Sequence, residues 1–183
     1  MKRIDRLLQR WRIRQAMRWL PQNSRLIDIG AYHGETFKTL GKRLSEGFGI
    51  EPLLESRIET PSYVIEPGYF PAVRPAHGNW DAITMLAVLE HIPDQEQANI
   101  AEACYELLRP EGRVIITVPA HAVDHILSVL KFFRLIDGMS LEEHHGFAPT
   151  DTLGIFASPR FSLVQHSKFQ LGLNHIFVFE KNK

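Results

Sequence analysis

One short segment contains residue types suited to ligand binding: Asp28-Ile29-Gly30-Ala31-Tyr32-His33-Gly34, called the Asp28 loop below. Glycine permits backbone turns and a close ligand approach that a side chain would block. Asp28 can accept hydrogen bonds from the loop or from a ligand ammonium group. Tyr32 stands where the second glycine of a dinucleotide fingerprint belongs, which argues against a pyrophosphate ligand. A plain strand-to-helix turn is the alternative interpretation.

Glu51 and His91 are two further candidates. Glu51 ends an apolar segment and is suited to bind both hydroxyls of a ribose. Histidine titrates near neutral pH, so His91 is a candidate general base, or alternatively a residue that fixes a loop through a hydrogen bond. His121 and His125 flank Asp124 at a spacing that can bind zinc on a helix, but no third ligand has matching spacing. We therefore expect no metal.

The elements that position these residues alternate between strands and helices. Apolar segments typical of buried strands are followed by helical patterns and turn signals. The predicted strands cover residues 25–29, 48–51, 62–65, 80–86 and 113–118, with helices over 35–44 and 94–108 and a turn at 109–112. Residues 161–164 and 175–179 predict an antiparallel pair joined by a loop containing Gly172. The sequence therefore predicts an α/β fold with a doubly wound, mostly parallel sheet and an antiparallel edge.

The N-terminal arm, residues 1–20, combines apolar residues at helical spacing with many arginines. Residues 1–25 have a net charge of +7, and the formal charge of the 183-residue chain is zero, so the remainder is acidic. A basic arm on an acidic body indicates an anionic partner, either a membrane surface or a nucleic acid. The alternative is the solvated face of an amphipathic helix. A single cysteine, Cys104, excludes an internal disulfide, and we expect one cytoplasmic domain spanning 1–183.

Three further motifs follow the Asp28 loop in order. They are Trp-Asp-Ala-Ile-Thr at 80–84, Ala-Val-Leu-Glu-His-Ile-Pro-Asp at 87–94 and Leu-Leu-Arg-Pro-Glu-Gly-Arg at 107–113. The series resembles class I S-adenosylmethionine-dependent methyltransferases, particularly the group that includes the ubiquinone-biosynthesis methyltransferases. The resemblance covers about residues 24–120. It implies a seven-stranded sheet with a final antiparallel strand, and S-adenosylmethionine (S-adenosyl-L-methionine) as the cofactor.

The resemblance also implies a set of cofactor contacts in the Asp28 loop, at the ends of later strands and beside the sulfonium. The implied contacts are Asp28, Gly30, Tyr32, Gly34, Glu51, Tyr69, Met85, Leu86 and Ala87. Three positions depart from the family pattern. Tyr32 replaces the middle glycine, which allows a different loop shape. Tyr69 is near the place where relatives put an acid against the adenine amine, and it can cover the adenine ring instead. Ala87 replaces a second acid that is thought to hold a metal in some quinone O-methyltransferases.

The expected function is methyl transfer to a small-molecule or lipid-like acceptor, at oxygen, with His91 as the base. Residues 120–158 are expected to cover the substrate site, and the arm to contact an anionic membrane peripherally. One alternative is a catalytically silent S-adenosylmethionine-binding or partner-binding protein, suggested by Tyr32 and the missing acid. The other is a nucleic-acid methyltransferase; the acidic body and the absence of an Asn-Pro-Pro-Tyr motif make nucleic acid an unexpected partner.

Overall fold

The computed structural model describes residues 3–120, 148–157 and 159–183, and within these ranges one mixed sheet of eight strands forms the centre of the protein. The strands are β1 (Ser24–Ile29), β2 (Leu44–Glu51), β3 (Ile58–Glu59), β4 (Tyr63–Pro67), β5 (Trp80–Leu86), β6 (Leu108–Pro119), β7 (Phe161–Phe169) and β8 (Asn174–Lys181). The helices are α1 (Arg3–Ala16), α2 (Glu35–Leu40), α3 (Asp94–Leu107) and α4 (Asp151–Phe156). Short 3-10 turns cover Met17–Trp19, Gly41–Arg43 and Leu89–His91.

The strand order is β3-β4-β2-β1-β5-β6-β8-β7. Strands β4, β2, β1, β5 and β6 are parallel, whereas β8 runs antiparallel to β6 and β7 antiparallel to β8. The chain winds outward from β1 to β4 and then returns to β5 on the other side of β1. The order therefore reverses between β1 and β5, where ligands of doubly wound sheets bind beyond the carboxyl ends of the strands. The predicted doubly wound sheet with an antiparallel edge is confirmed.

The sheet has one strand more than the seven that the resemblance implies. The additional strand is β3, two residues long and antiparallel to β4. It forms because the amide and the hydroxyl of Thr60 both donate to the Tyr63 carbonyl, at 2.9 Å each, and this tight turn folds residues 58–59 back onto β4. The extra strand extends the far edge of the sheet and leaves the crossover unchanged.

Several boundaries differ from the sequence-based prediction, and two of these differences have a local cause. Helix α2 ends at Leu40 instead of continuing to Leu44, because Gly41 adopts a φ of 53° and a 3-10 turn follows. The residues predicted as a turn, 109–112, bulge out of β6 without ending it. Leu108 pairs with Trp80 and Arg113 pairs with Ala82, so four residues of β6 lie opposite a single residue of β5.

Helices cover both faces of the sheet. On one face, α3 and α4 pack on a cluster that includes Trp80, Phe156 and Phe179. On the other face, α1 and α2 pack on a cluster that includes Phe37 and Ile65. Cys104 of α3 is fully buried, and burial raises the pKa of its thiol, as expected of a core residue. None of the described helices is long and apolar enough to cross a membrane.

Candidate active site

The Asp28 loop begins at the carboxyl end of β1 and requires glycine at two positions. Gly30 and Gly34 have φ angles of 76° and 82°, in the left-handed region that favours glycine. A Cβ atom at Gly30 would lie 2.5 Å from Cγ2 of Val88, and one at Gly34 would lie 3.0 Å from Cε2 of Tyr63. The loop therefore touches both the segment after β5 and the strand β4, and side chains at these positions would push them away.

Tyr32 adopts the backbone conformation that a glycine would take at this position. Its φ is 48°, in the left-handed region, so the loop keeps a glycine-like conformation although tyrosine replaces the glycine. The Tyr32 side chain is 43% exposed, and its ring lies 4.2 Å from that of His33. The substitution thus adds an aromatic ring to the outside of the loop.

Glu51, the last residue of β2, is buried and held in place by the backbone. Its Oε2 accepts a hydrogen bond from the Tyr32 N–H at 2.8 Å, and its Oε1 accepts one from the Leu53 N–H at 3.1 Å. A carboxylate oxygen has a second lone pair, so each oxygen can still accept a further hydrogen bond. An anchored carboxylate with two free acceptor positions fits the two vicinal hydroxyls of a ribose, which is a part of S-adenosylmethionine.

Asp28 links β1 to β5 at the crossover. Its Cα pairs in register with Thr84, whose Oγ1 donates to Oδ1 of Asp28 at 2.5 Å, and Thr36 supplies another hydrogen bond. Burial raises the pKa of Asp28 to about 6, although both threonines lower it and the charge of Glu51 raises it further. The hydrogen bonds that Asp28 receives come from threonines on neighbouring elements. Asp28 therefore fixes the strands beneath the Asp28 loop.

The segment after β5 carries the predicted sulfonium-side residues and His91. Met85 is fully buried in the core, while Leu86 and Ala87 are partly exposed at the end of the strand. Ala87 has a φ of 61°, and its N–H donates to the Thr117 carbonyl at 2.9 Å. His91 ends the following 3-10 turn and is partly buried. Leu86, Ala87 and His91 thus follow one another around the carboxyl end of β5.

Glu90 is a buried acid that the sequence analysis missed. Burial raises the pKa of Glu90 to about 7, while the nearby Arg12 of α1 lowers it. Its Oε2 receives no hydrogen bond from the residues that the structure describes. The sequence contains no direct signal for this environment, because Arg12 and Glu90 meet only through the placement of α1.

Two predicted features lie apart from this cluster or outside the described residues. Tyr69 is 73% exposed and follows β4, which ends at Pro67, so its contact with adenine stays a prediction. The His121–His125 pair and most of the predicted covering segment, residues 121–147, lie outside the described residues. In the part of the chain that is described, no three histidine, cysteine or carboxylate side chains are grouped so that they could hold a metal.

A cavity of about 270 Å³ lies at the opposite, amino-terminal edge of the sheet, beside Trp19 and Pro21. Four of the six charged side chains that line it form two ion pairs. Arg109 Nε lies 2.6 Å from Oδ1 of Asp81, and Arg113 Nη2 lies 3.1 Å from Oε2 of Glu180. The cavity is thus distant from the crossover, and these two ion pairs neutralise four of its charges.

Residues 2–157 match a family model described as a methyltransferase domain. The chain belongs to the class I S-adenosylmethionine-dependent methyltransferase family. The members of this family are enzymes, and their cofactor is S-adenosylmethionine. This cofactor fits the glycine-dependent Asp28 loop and the anchored Glu51 described above. The family resemblance stated from the sequence motifs is therefore confirmed.

Named relatives agree with this assignment. A ubiquinone biosynthesis O-methyltransferase from Shewanella pealeana is 22% identical over 184 residues, covering 86% of this chain and 77% of that protein. One from Aeromonas salmonicida is 30% identical over 102 residues, covering 51% of this chain and 42% of that protein. A solved Burkholderia thailandensis 1,6-didemethyltoxoflavin-N1-methyltransferase, with S-adenosylhomocysteine bound, has a TM-score of 0.67 and 14% identity, covering 94% of this chain and 79% of that one. At this identity the solved structure supports the fold.

Proposed function

We propose that this methyltransferase methylates a hydroxyl oxygen of a small-molecule or lipid-like acceptor, with His91 as the general base. The observation that carries the proposal is the position of His91, partly exposed in the turn that follows β5, next to the crossover and the Asp28 loop. Sequence relatives named ubiquinone biosynthesis O-methyltransferases support oxygen as the methylated atom. Sequence identity to these relatives is low, so the chemical class of the acceptor is part of the proposal.

S-adenosylmethionine supplies a methyl group already activated by a sulfonium. The residues of the chain therefore bind and orient the cofactor and the acceptor, and they exclude water. Where the acceptor is a hydroxyl, they also remove its proton. In the proposed arrangement the backbone of Gly30, Tyr32 and Gly34 surrounds the methionine portion, and Glu51 binds the ribose hydroxyls. A neutral imidazole nitrogen of His91 would accept the hydroxyl proton as the oxygen–carbon bond formed and the sulfur–carbon bond of the sulfonium broke, with S-adenosylhomocysteine as the leaving group.

The remaining cofactor contacts are proposed at the two ends of the ligand. Tyr69 lies over the adenine ring, and Leu86 with Ala87 surrounds the sulfonium. Met85, which is buried, supports them from the core. A single domain over 1–183, with residues 120–158 covering the acceptor and the basic arm contacting an anionic membrane, completes the proposal. The net acidic body disfavours a nucleic-acid acceptor.

The test is turnover of a labelled methyl group from S-adenosylmethionine against phenolic lipid extracts, small metabolites and RNA. With an identified hydroxyl acceptor, His91→Ala should lower kcat by about 10²–10⁴, because general-base assistance has that magnitude. The wild-type rate should rise with pH through a histidine titration that the variant lacks. His77→Ala removes an exposed imidazole just before the amino end of β5, the end opposite His91, and should leave the rate unchanged.

Three results would count against the proposal. Normal turnover of His91→Ala would make His91 structural. Loss of S-adenosylhomocysteine binding in that variant would show that the residue supports the cofactor site instead. Cofactor binding without turnover on any acceptor class would favour the catalytically silent alternative, and methylation of RNA alone would favour the nucleic-acid alternative.

A further inference from the structure

The outward surface of α1 and of the turn that follows it presents four arginines and two apolar side chains, called the arginine face here. The arginines recur every four residues, and all six side chains are exposed, with Leu7 at 64% and Trp11 at 42%. At about 100° per helical residue, the six positions fall within an arc of about 140°. The arginine face consists of Arg6, Leu7, Arg10, Trp11, Arg14 and Arg18.

The positive charge of this face is uncompensated within the described part of the chain. None of its four guanidinium groups makes an ion pair or a hydrogen bond with a described residue. No aspartate or glutamate occurs between residues 6 and 20. Four cations along about three and a half turns of one surface create a local field that attracts a polyanion.

The opposite side of α1 and its following turn holds the arm against the sheet. Ile13, Ala16 and Leu20 are buried in the core. Nε2 of Gln170 donates a hydrogen bond to the Leu8 carbonyl of α1 at 2.9 Å. Nη1 of Arg113 donates one to the Trp19 carbonyl in the turn that follows α1, at 3.3 Å. The arm is thus fixed at Leu8 and at Trp19, so the arginine face is presented outward and contributes little to core packing.

We propose that the arginine face binds the surface of a bilayer containing anionic lipids, with Trp11 and Leu7 inserted at the level of the headgroups. The arginines match the negative headgroup charge, and a Trp with a neighbouring Leu gains free energy at a membrane interface. A nucleic-acid backbone would satisfy the arginines but would leave Leu7 in water. The residues outside the first 25 have a net charge of −7, so this face is the attractive side of the protein.

The inference deepens the peripheral membrane contact of the proposed function, but its test requires neither an acceptor nor methyl transfer. The purified full chain is sedimented with vesicles of phosphatidylcholine containing about one third phosphatidylglycerol, and with vesicles of phosphatidylcholine alone. Binding is expected only to the anionic vesicles and should decrease steeply with added salt. A single-stranded RNA of mixed sequence is tested in parallel at the same salt concentrations.

Arg10→Gln combined with Arg14→Gln should weaken vesicle binding about thirtyfold, since each arginine near an anionic surface contributes a factor of about five. Arg57→Gln combined with Arg74→Gln makes the same charge change at exposed arginines beside β4 and α3, away from α1, and should bind like the wild type. Of the three tryptophans, only Trp11 should shift its fluorescence to the blue, so Trp11→Phe should remove the shift.

Circular dichroism and thermal unfolding confirm that each variant is folded before its binding is compared. Equal binding to neutral and anionic vesicles, or no binding to either, would overturn the inference. So would equal losses in the Arg10/Arg14 and Arg57/Arg74 variants, or RNA binding without vesicle binding. Failure of methyl transfer would leave the vesicle result unchanged, which separates this inference from the proposed chemistry.

Discussion

The protein should lose stability as the pH rises through the titration of Asp28. Burial raises the pKa of this carboxyl from 3.8 to about 6 in the folded state. A raised folded pKa means that the folded state binds the proton more tightly, so the stabilisation is complete below pH 3.8 and is lost as the pH passes about 6. A shift of about two pKa units corresponds to about 3 kcal/mol in total, of which about 1.4 kcal/mol falls between about pH 5 and about pH 7.5.

The assay compares urea unfolding of the wild type and Asp28→Asn at these two pH values. Asparagine keeps an oxygen that can accept from Thr84 but does not titrate, so the wild type should lose about 1.4 kcal/mol more than the variant. Taking the difference cancels the contribution of Glu90, whose pKa is raised to about 7 and acts in the same direction. Asp94→Asn, at an exposed carboxyl, should retain the wild-type pH dependence. Identical pH dependence in wild type and Asp28→Asn would refute the desolvated position of Asp28.

Two predictions concern the Asp28 loop. Gly30→Ala should cost about 1–3 kcal/mol of unfolding free energy, because its Cβ would lie 2.5 Å from Val88. Adding Val88→Ala should recover part of the loss. Wild-type stability of the single variant would contradict this contact. Tyr32→Gly should keep S-adenosylhomocysteine affinity in calorimetry, whereas Tyr32→Pro should abolish it, because proline cannot adopt a φ of 48° or donate to Glu51. Normal binding by the proline variant would refute the role of that hydrogen bond.

Strands buried on both faces could be predicted from the sequence, and half-exposed extensions of them could not. The strand β5 has the predicted bounds, Trp80–Leu86, because it is a nearly continuous apolar run. The strand β2 begins four residues before its predicted start. Its first half contains exposed Ser45 and Glu46 followed by Gly47, where a Cβ would lie 2.6 Å from that of Tyr63. Such a segment has no strand signal of its own and pairs because β1 and β4 flank it.

The parts of the candidate site that depend on local sequence could also be predicted. Gly30 and Glu51 stand at strand ends and Gly34 directly precedes α2, positions where their residue types indicate a role in ligand binding. The environment of Glu90 could not be predicted, since it depends on Arg12, 78 residues earlier in the chain, and on the packing of α1 against the sheet. The backbone conformation of Tyr32 could not be predicted either. Tertiary contacts, including the hydrogen bond from its N–H to Glu51, hold this residue in the left-handed region.

The most direct test of the central claim is a calorimetric titration of the protein with S-adenosylhomocysteine, comparing the wild type, Glu51→Ala and Glu55→Ala. Glu55 is an exposed acid four residues after Glu51, in the segment that follows β2, and serves as the matched control. The wild type should bind with micromolar or tighter affinity and should not bind NAD. Glu51→Ala should lose about 1.5–3 kcal/mol of binding free energy, the contribution of hydrogen bonds to a charged group, and Glu55→Ala should bind normally. Unchanged affinity in Glu51→Ala, or no binding by the wild type, would contradict the assignment of this site.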